Sequence, residues 1–436
     1  MFLSLLLQNN NNFILFLSLT WTSSSIHERY KNGIYALLHP MTRTPHHLPI
    51  PLSIWALGSV SFFMKISSVI IFSLTPLFVT QVLGASTIVL GLLESFVEAI
   101  TLFSRLFSGI LSDYLHKRKA IIVSGYILAL ISRPILALAT SLGGVFLGRA
   151  FDRIGNGLEA TPRDALVGDL APPVIKGACY GLRESLSRAG AFSGSLLAMA
   201  LLWFTQNNYS LVFWLGSIPT IIALLILISF VKDPISDKFQ HKKVKKKLTF
   251  KDFSQLPLVF WMTLTLSGLF MLSNFSGAFL ILRAEQMGLD IHFIPLVMVI
   301  QNMATAATAY PVGYLSDKMG RRSMMALGIL LVIISNFFLA SEGSIYVVLG
   351  GVLLWGTEMG ITQSILAIFL ADSCPQDLRG TGFGLFHLVN GVCLIIANSL
   401  SGWVWSVAGP SFMFYMSAAI AASSAFVLPF IYKKNS

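Results

Sequence analysis

The chain has 436 residues, 55% of them hydrophobic and only 11% charged, with a formal net charge of +11. Mean hydropathy is +0.75. A soluble domain carries roughly twice that charged fraction, so a soluble globular protein is excluded. The basic residues cluster in short stretches between apolar runs, the pattern of a membrane protein with positive inside loops, and no nucleic-acid partner is expected. Three cysteines, Cys179, Cys374 and Cys393, fit no metal or disulfide spacing.

In chain order, residues 1–51 read as an N-terminal extension. "MFLSLLLQNNNNFILFLSLTW" holds two short apolar runs split by Gln8–Asn12 and lacks a basic lead, so it is a poor signal peptide. "RTPHHLPIP" is a polar connector, and Met41 is an alternative start. Twelve apolar spans follow, at 54–80, 87–110, 120–140, 143–162, 178–203, 210–231, 257–283, 292–313, 323–340, 345–371, 381–404 and 411–431. Each is close to the ~20 residues that a helix needs to cross a bilayer. The basic connectors are "HKRK", "KDPISDKFQHKKVKKKLTFKD", "DKMGRRS" and the terminal "YKK". They alternate with "QVLGAS", "TSLGG", "TQNNYS", "AEQMGLDIH", "SEGS" and "SVAGPS", which hold no Lys or Arg. The expected placement is multi-pass in the cytoplasmic membrane, with both ends of the helical core in the cytoplasm.

The chain repeats itself. "GILSDYLHKRK" from Gly109 returns as "GYLSDKMGRRS" from Gly313, and "GDLAPPVIKGACYGL" from Gly168 returns as "ADSCPQDLRGTGFGL" from Ala371, roughly 200 residues later in both cases. Two separate matches at nearly one offset imply a duplication. The expected domains are a first six-helix bundle at 52–231, a basic cytoplasmic linker at 232–256 and a second six-helix bundle at 257–436. Related halves of this kind place a binding site near the bilayer midplane, at their interface. The fold class is all-α polytopic, twelve transmembrane helices in two pseudo-symmetric six-helix bundles.

These residues resemble the major facilitator superfamily from Leu52 to the C-terminus. "GxLSDxxxxR" occurs twice, after the second and eighth spans, and Arg153, Asn156 and Gly157 have the spacing of the superfamily's helix-four "RxxQG". "DRIGNGLEATPRDAL" and "LADSCPQDLRGTGFGLFHLVNG" are similar to a bacterial efflux-like branch. Several carboxylates usual in that branch are replaced. "DISSE" is here "KISSV", with Lys65 and Val69. Ser187 stands in place of an Asp, Gly194-Ser195 in place of Gly-Pro, and Gly277 turns "SDAF" into "SGAF".

The repeated loop reads as a cytoplasmic gate made of Gly109, Asp113, Arg118 and Arg163 in the first half and Gly313, Asp317, Arg321 and Arg322 in the second. The glycines allow tight packing. The aspartates accept bonds from neighbouring arginines, with Arg163 the expected partner of Asp113, and the resemblance implies the same latch.

Charge inside the membrane is costly and marks a transport path. At 1.5 Å per residue, Glu98 and Lys65 both lie about 16 Å deep, within reach of a pair. Glu94, Glu98, Thr101 and Arg105 share one helical face. Arg149, Asp152 and Arg153 lie in the fourth span, with Asp152 placed to pair with Arg149, and Pro162 marks that helix's cytoplasmic end. Arg133 and Arg188 complete a set in which positive charge exceeds negative. The second half holds Glu358, with His387, Asn390, Asn302 and Gln363 as polar company. His387 is expected to pack rather than to relay protons. Arg283 is expected to meet Glu285 or water.

The sequence therefore predicts a secondary active transporter working by alternating access. The leading expectation is proton-coupled efflux of a small amphiphilic compound, with Glu98 or Asp152 titrating. The alternatives are uptake of an anionic metabolite and export of an endogenous product such as a siderophore. The substrate and coupling residues are Lys65, Glu94, Glu98, Arg133, Arg149, Asp152, Arg153, Arg188, Glu358, His387 and Asn390. No metal or other cofactor is expected beyond an ion gradient, the chain is expected to act as a monomer among membrane lipids, and no HExxH, paired aspartates or GxSxG supports an enzyme.

Overall fold

The computed structural model describes residues 50–430 apart from 116–117, 173–174, 232–255 and 375–378. The N-terminal extension (before residue 50), His116 and nearly all of the basic linker lie outside the described residues. Twelve helical spans follow in order. The first half holds α1 (Leu52–Leu77, continued by a π turn Phe78–Val82), α2 (Thr87–Leu115), α3 (Arg118–Ala137), α4 (Leu142–Leu170), α5 (Lys176–Phe204) and α6, split into α6a (Tyr209–Leu215) and α6b (Ser217–Phe230). The second holds α7, split into α7a (Leu258–Ser273) and α7b (Gly277–Gln286), then α8 (Leu296–Met319), α9 (Arg321–Ala340), α10 (Ile345–Ser373), α11 (Arg379–Ala408) and α12 (Pro410–Ala425). Ten of the twelve spans are long and apolar enough to cross a membrane by length and composition. The other two have visible reasons: α4 carries Arg149, Asp152, Arg153 and Glu159, and α12 has only 16 residues.

Within the first half, α1 packs on α5 and α6b, and α4 packs on α2 and α3; within the second, α10 packs on α8 and α9, and α12 on α7a and α9. Between the halves, α2 lies along α11 and α5 along α8. These two seams exchange under the internal repeat, since α8 is the second-half counterpart of α2 and α11 that of α5. A duplicated bundle thus supplies both sides of its own interface.

Three helices depart from the expected spans: α4 runs on through a proline, and spans six and seven are interrupted. Helix α4 runs eight residues past Pro162 instead of ending there. Proline cannot donate to the carbonyl four residues back, and the freed Leu158 oxygen accepts the Ser108 hydroxyl of α2 at 2.6 Å. Span six breaks at Gly216, whose carbonyl accepts the Ser67 hydroxyl of α1 at 2.6 Å. Span seven breaks at Asn274–Ser276, between α7a and α7b. There the Ser276 N–H donates to Asn398 Oδ1 of α11 at 2.8 Å, and the Ser276 hydroxyl caps α7b. Non-helical backbone survives at membrane depth only where other groups satisfy it; side chains of neighbouring helices do so at both breaks, as Ser108 does for the carbonyl that Pro162 frees in α4.

The loop-motif residues hold their own halves together. Arg118 at the start of α3 pairs with Asp169 at the end of α4, and Arg321 at the start of α9 pairs with Asp372 at the end of α10. Gly109 and Asp113 lie in α2, and Gly313 and Asp317 in α8; the Asp113 and Asp317 side chains are outside the described residues. Arg322 donates to the Pro429 carbonyl at 3.2 Å. Arg283 does not turn to Glu285: it donates to the Leu339 and Ser341 carbonyls, both at 2.8 Å, and so caps the C-terminus of α9.

The α2–α11 seam closes through bare backbone. A Cβ on Gly91 would lie 2.8 Å from the Gly402 Cα and 2.6 Å from the Asn398 carbonyl oxygen, and Ser95 donates to the Ile395 carbonyl at 2.8 Å. Gly402→Leu is therefore expected to part α2 from α11 and raise, several-fold, the rate at which a cysteine at Ser399 reacts with a water-soluble thiol reagent. Gly181→Ala, where nothing lies within 4 Å of the new carbon, is the control that leaves this rate unchanged.

Candidate functional site

Behind the centre of the bundle lies a closed polar network. The Asp152 carboxylate of α4 accepts from Arg133 of α3 at 2.7 Å and lies 3.7 Å from Arg149 and 3.6 Å from Arg153. Arg133, Arg149 and Asp152 are wholly buried. Arg133 Nε donates to the Ser67 hydroxyl at 3.0 Å, and Thr220 of α6b donates to the same oxygen at 2.8 Å. At the other end Arg149 reaches Glu94 of α2 at 3.4 Å. Glu94 in turn accepts the Ser276 hydroxyl of the α7 break at 2.8 Å. One chain of polar contacts thus runs from α6 through α1, α3, α4 and α2 into the second half. The expected Arg149–Asp152 pair exists, but as the longest arm of a cluster whose shortest bond goes to Arg133.

In front of this network is a central cavity in two chambers of about 350 and 340 Å³. The inner chamber is lined by Lys65, Glu94, Glu98 and Arg153 from the first half, facing Phe275, Ser276, Met298 and Asn398 from the second. The second chamber lies toward the end that carries the basic loops, and is lined by Arg163, Arg183, Glu184 and Arg188 opposite Thr305 and Gln363. Lys65, Ala191, Gln301, Asn302 and Met359 line both. Among the described residues, every charged side chain on the cavity wall belongs to the first half. The second half contributes amides, hydroxyls and apolar groups.

Several expected site residues are placed elsewhere. Lys65 and Glu98 share the inner chamber, but among the described residues they form no ion pair within 4 Å. The Arg163 guanidinium bonds both oxygens of Glu159 at 2.8 Å, one helical turn away, and lines the cavity; the side chain of Asp113, its expected gate partner, is outside the described residues. Glu358 is 1% exposed, accepts from Thr362 at 2.7 Å and has one oxygen without a hydrogen bond. It lies inside the second bundle and not on the cavity. His387 packs against Phe386 at 5.5 Å. Asn390 accepts from Ser267 at 2.8 Å, tying α11 to α7a. Arg188 does reach the cavity, with Glu184 at 3.2 Å.

Sequence reasoning missed Ser276, Asn398, Glu159 and Gln301. Glu159 had a usable signal, its i,i+4 spacing to Arg163. Ser276 and Asn398 had none, since they meet only through the break in α7.

An uncompensated charge buried by removing one partner costs about 3–5 kcal/mol. Asp152→Asn and Arg133→Met are therefore each expected to destabilise the fold by about that amount, and Glu98→Gln by only about 1 kcal/mol, in thermal unfolding of the detergent-solubilised protein followed by tryptophan fluorescence. Equal losses for Asp152→Asn and Glu98→Gln would show that the network does not hold the fold.

The family model of the Major Facilitator Superfamily matches residues 57–291 and 266–436. An uncharacterized MFS-type transporter of Methanocaldococcus jannaschii is 27% identical over 389 residues, covering 87% of this chain and 94% of the relative. A multidrug resistance protein, MdtH, of Photorhabdus laumondii is 24% identical over 346 residues, covering 77% of this chain and 82% of that one. Among solved structures, a POT family transporter in complex with 5-aminolevulinic acid superposes with a TM-score of 0.74 at 16% identity, covering 88% of this chain and 97% of that one. At that identity the likeness shows the fold. The halves, their seams and the central cavity agree with the family match: this chain belongs to the Major Facilitator Superfamily, a family of membrane transporters.

Proposed function

We propose that the chain is a secondary active transporter that exports a small amphiphilic compound in exchange for protons, by rocking its two halves about the central cavity. The observation that carries this reading is the different fate of two membrane carboxylates. Asp152 is wholly buried among three guanidinium groups and cannot exchange a proton with a passing solute. Glu98 faces the inner chamber, partly exposed, and among the described residues has no ion-pair partner within 4 Å. A carboxylate that meets the transport space, near the positive charges of Arg153 and Arg105, can couple its proton to occupancy of that space. In this reading Glu98, and not Asp152, is the coupling group.

The seams between the halves support a state closed at one end. Gln81 at the end of α1 donates to Glu285 at the end of α7b at 2.9 Å, and α2 meets α11 at Gly91 and Gly402. Both contacts lie at the end whose loops lack Lys and Arg. The second chamber extends toward the opposite end, so in this reading the cavity opens to the cytoplasm and the core has both its ends there. The MdtH relative supports export as the direction.

In energised everted vesicles bearing a pH-quenched dye, adding an exported amphiphile is expected to relieve the quench, and Glu98→Gln is expected to abolish the proton movement while leaving the protein folded. Net accumulation of a compound without proton movement, or full coupling in Glu98→Gln, would remove this reading.

A further inference from the structure

We infer that the cavity contains an anion-binding subsite centred on the Lys65 ammonium, with Arg153 beside it, and that the cargo is a small amphiphile bearing a carboxylate. This rests on the cavity being the transport path, and it deepens that reading by naming the chemistry of the cargo.

The first ground is the position of Lys65. Its side chain is exposed, yet it projects from the middle of α1 into the junction of the two chambers. Among the described residues no carboxylate lies within 4 Å of it. The charges that act on it most are Arg153, Arg163, Glu159 and Glu184. Both acids are already engaged. Glu159 gives both oxygens to Arg163 at 2.8 Å, and Glu184 is shared between Arg183 and Arg188 at 3.2 Å each. Arg153 leans on Asp152, but that carboxylate is divided among three cations. Glu98 lines the same chamber but does not come within 4 Å of Lys65, so the Lys65 ammonium itself has no protein carboxylate in contact among the described residues. An unpaired ammonium at this depth is costly, and a ligand anion is the partner that the protein itself does not supply.

The second ground is the rest of the lining. Val69, Phe72, Phe275, Met298 and Leu394 supply apolar lining in the inner chamber, while Gln301 and Asn302 line both chambers with their amide nitrogens turned to Met359 Sδ at 3.2 Å and the Ser195 hydroxyl at 3.4 Å. Arg163, Arg183 and Arg188 line the approach from the second chamber and raise the local concentration of anions there. Chambers of about 350 and 340 Å³ sit at the small end of the ~300–1,000 Å³ range of small-molecule sites. A short apolar body with one carboxylate fits this division. Glu98, which lines the same chamber, repels a second carboxylate.

The test uses the full chain in nanodiscs at neutral pH and a matched series: 4-phenylbutyrate, its amide and 4-phenylbutylamine. Binding is read by isothermal calorimetry and by the shift in thermal unfolding. Phenylbutyrate is expected to bind at least about tenfold more tightly than either partner. Lys65→Met should abolish that preference, and Lys65→Arg should largely restore it. The wild-type series decides the matter alone if Lys65→Met does not fold. Equal or tighter binding of the amine, no preference for the carboxylate, or an undiminished preference in a folded Lys65→Met would overturn the subsite. These measurements involve neither protons nor direction. Carboxylate binding without proton coupling in vesicles would remove the coupling reading alone, and coupled movement of an amine without carboxylate binding would remove the subsite alone.

Discussion

The rest of the structure depends on the bond between Arg133 and Asp152, buried between α3 and α4. In a bilayer-spanning bundle a single guanidinium or carboxylate is expensive, and removing one member of such a pair exposes the full cost of the other. Here one carboxylate holds three arginines, and the excess positive charge is passed outward, through Arg149 to Glu94 and through Arg133 to the Ser67 hydroxyl. The first half is therefore locked at its midplane by polar contacts that involve five of its helices. Around them the glycines of α4 do the complementary work: Gly155 lies against the Gly125 carbonyl of α3 and Gly157 against Ser104 of α2, so the helices that carry the charges approach closely enough to pair them.

This lock has one arm that crosses to the other half. Glu94 accepts from Ser276, where α7 is interrupted, and the N–H of the same serine is held by Asn398. The α7 break, the α11 side chain and the α4 arginine are thereby joined at a point that any rocking of the halves must disturb. The seams themselves follow from the duplication. Helix α2 meets α11 and α5 meets α8, while each half keeps contacts of its own, including the symmetric pairs Arg118–Asp169 and Arg321–Asp372.

Charge is thus sorted by depth and direction. Arg133, Arg149 and Asp152 are wholly buried, with both arginines paired to the one carboxylate. Lys65, Glu98, Arg153 and Arg188 face the cavity, where a solute can meet them. The second half contributes no charge to that wall among the described residues, only amides and apolar groups. A transporter divided in this way keeps its electrostatics on one bundle and offers the other as an adaptable surface.

What the sequence determined by itself is the architecture. Hydropathy and loop charge are local, so twelve spans and two repeated halves were legible from composition, periodicity and the two copies of the loop motif, and the family from the resemblance that this motif and the helix-four motif carry. The set of membrane charges was legible too, because each is conspicuous against an apolar background. What only the tertiary structure decided is which charge meets which. Arg149 and Arg153 lie one turn apart on α4, yet one is wholly buried against Glu94 and the other lines the cavity. Asp152 finds its closest partner on the preceding antiparallel helix, and Arg163 bonds Glu159 one turn back on its own helix. Loop-motif Arg321, not Arg322, takes the carboxylate at the end of α10. Such pairings are set by helix rotation, by the close approach that glycines permit and by backbone breaks whose partners lie more than 100 residues away in sequence, and none of these leaves a periodic trace in the chain.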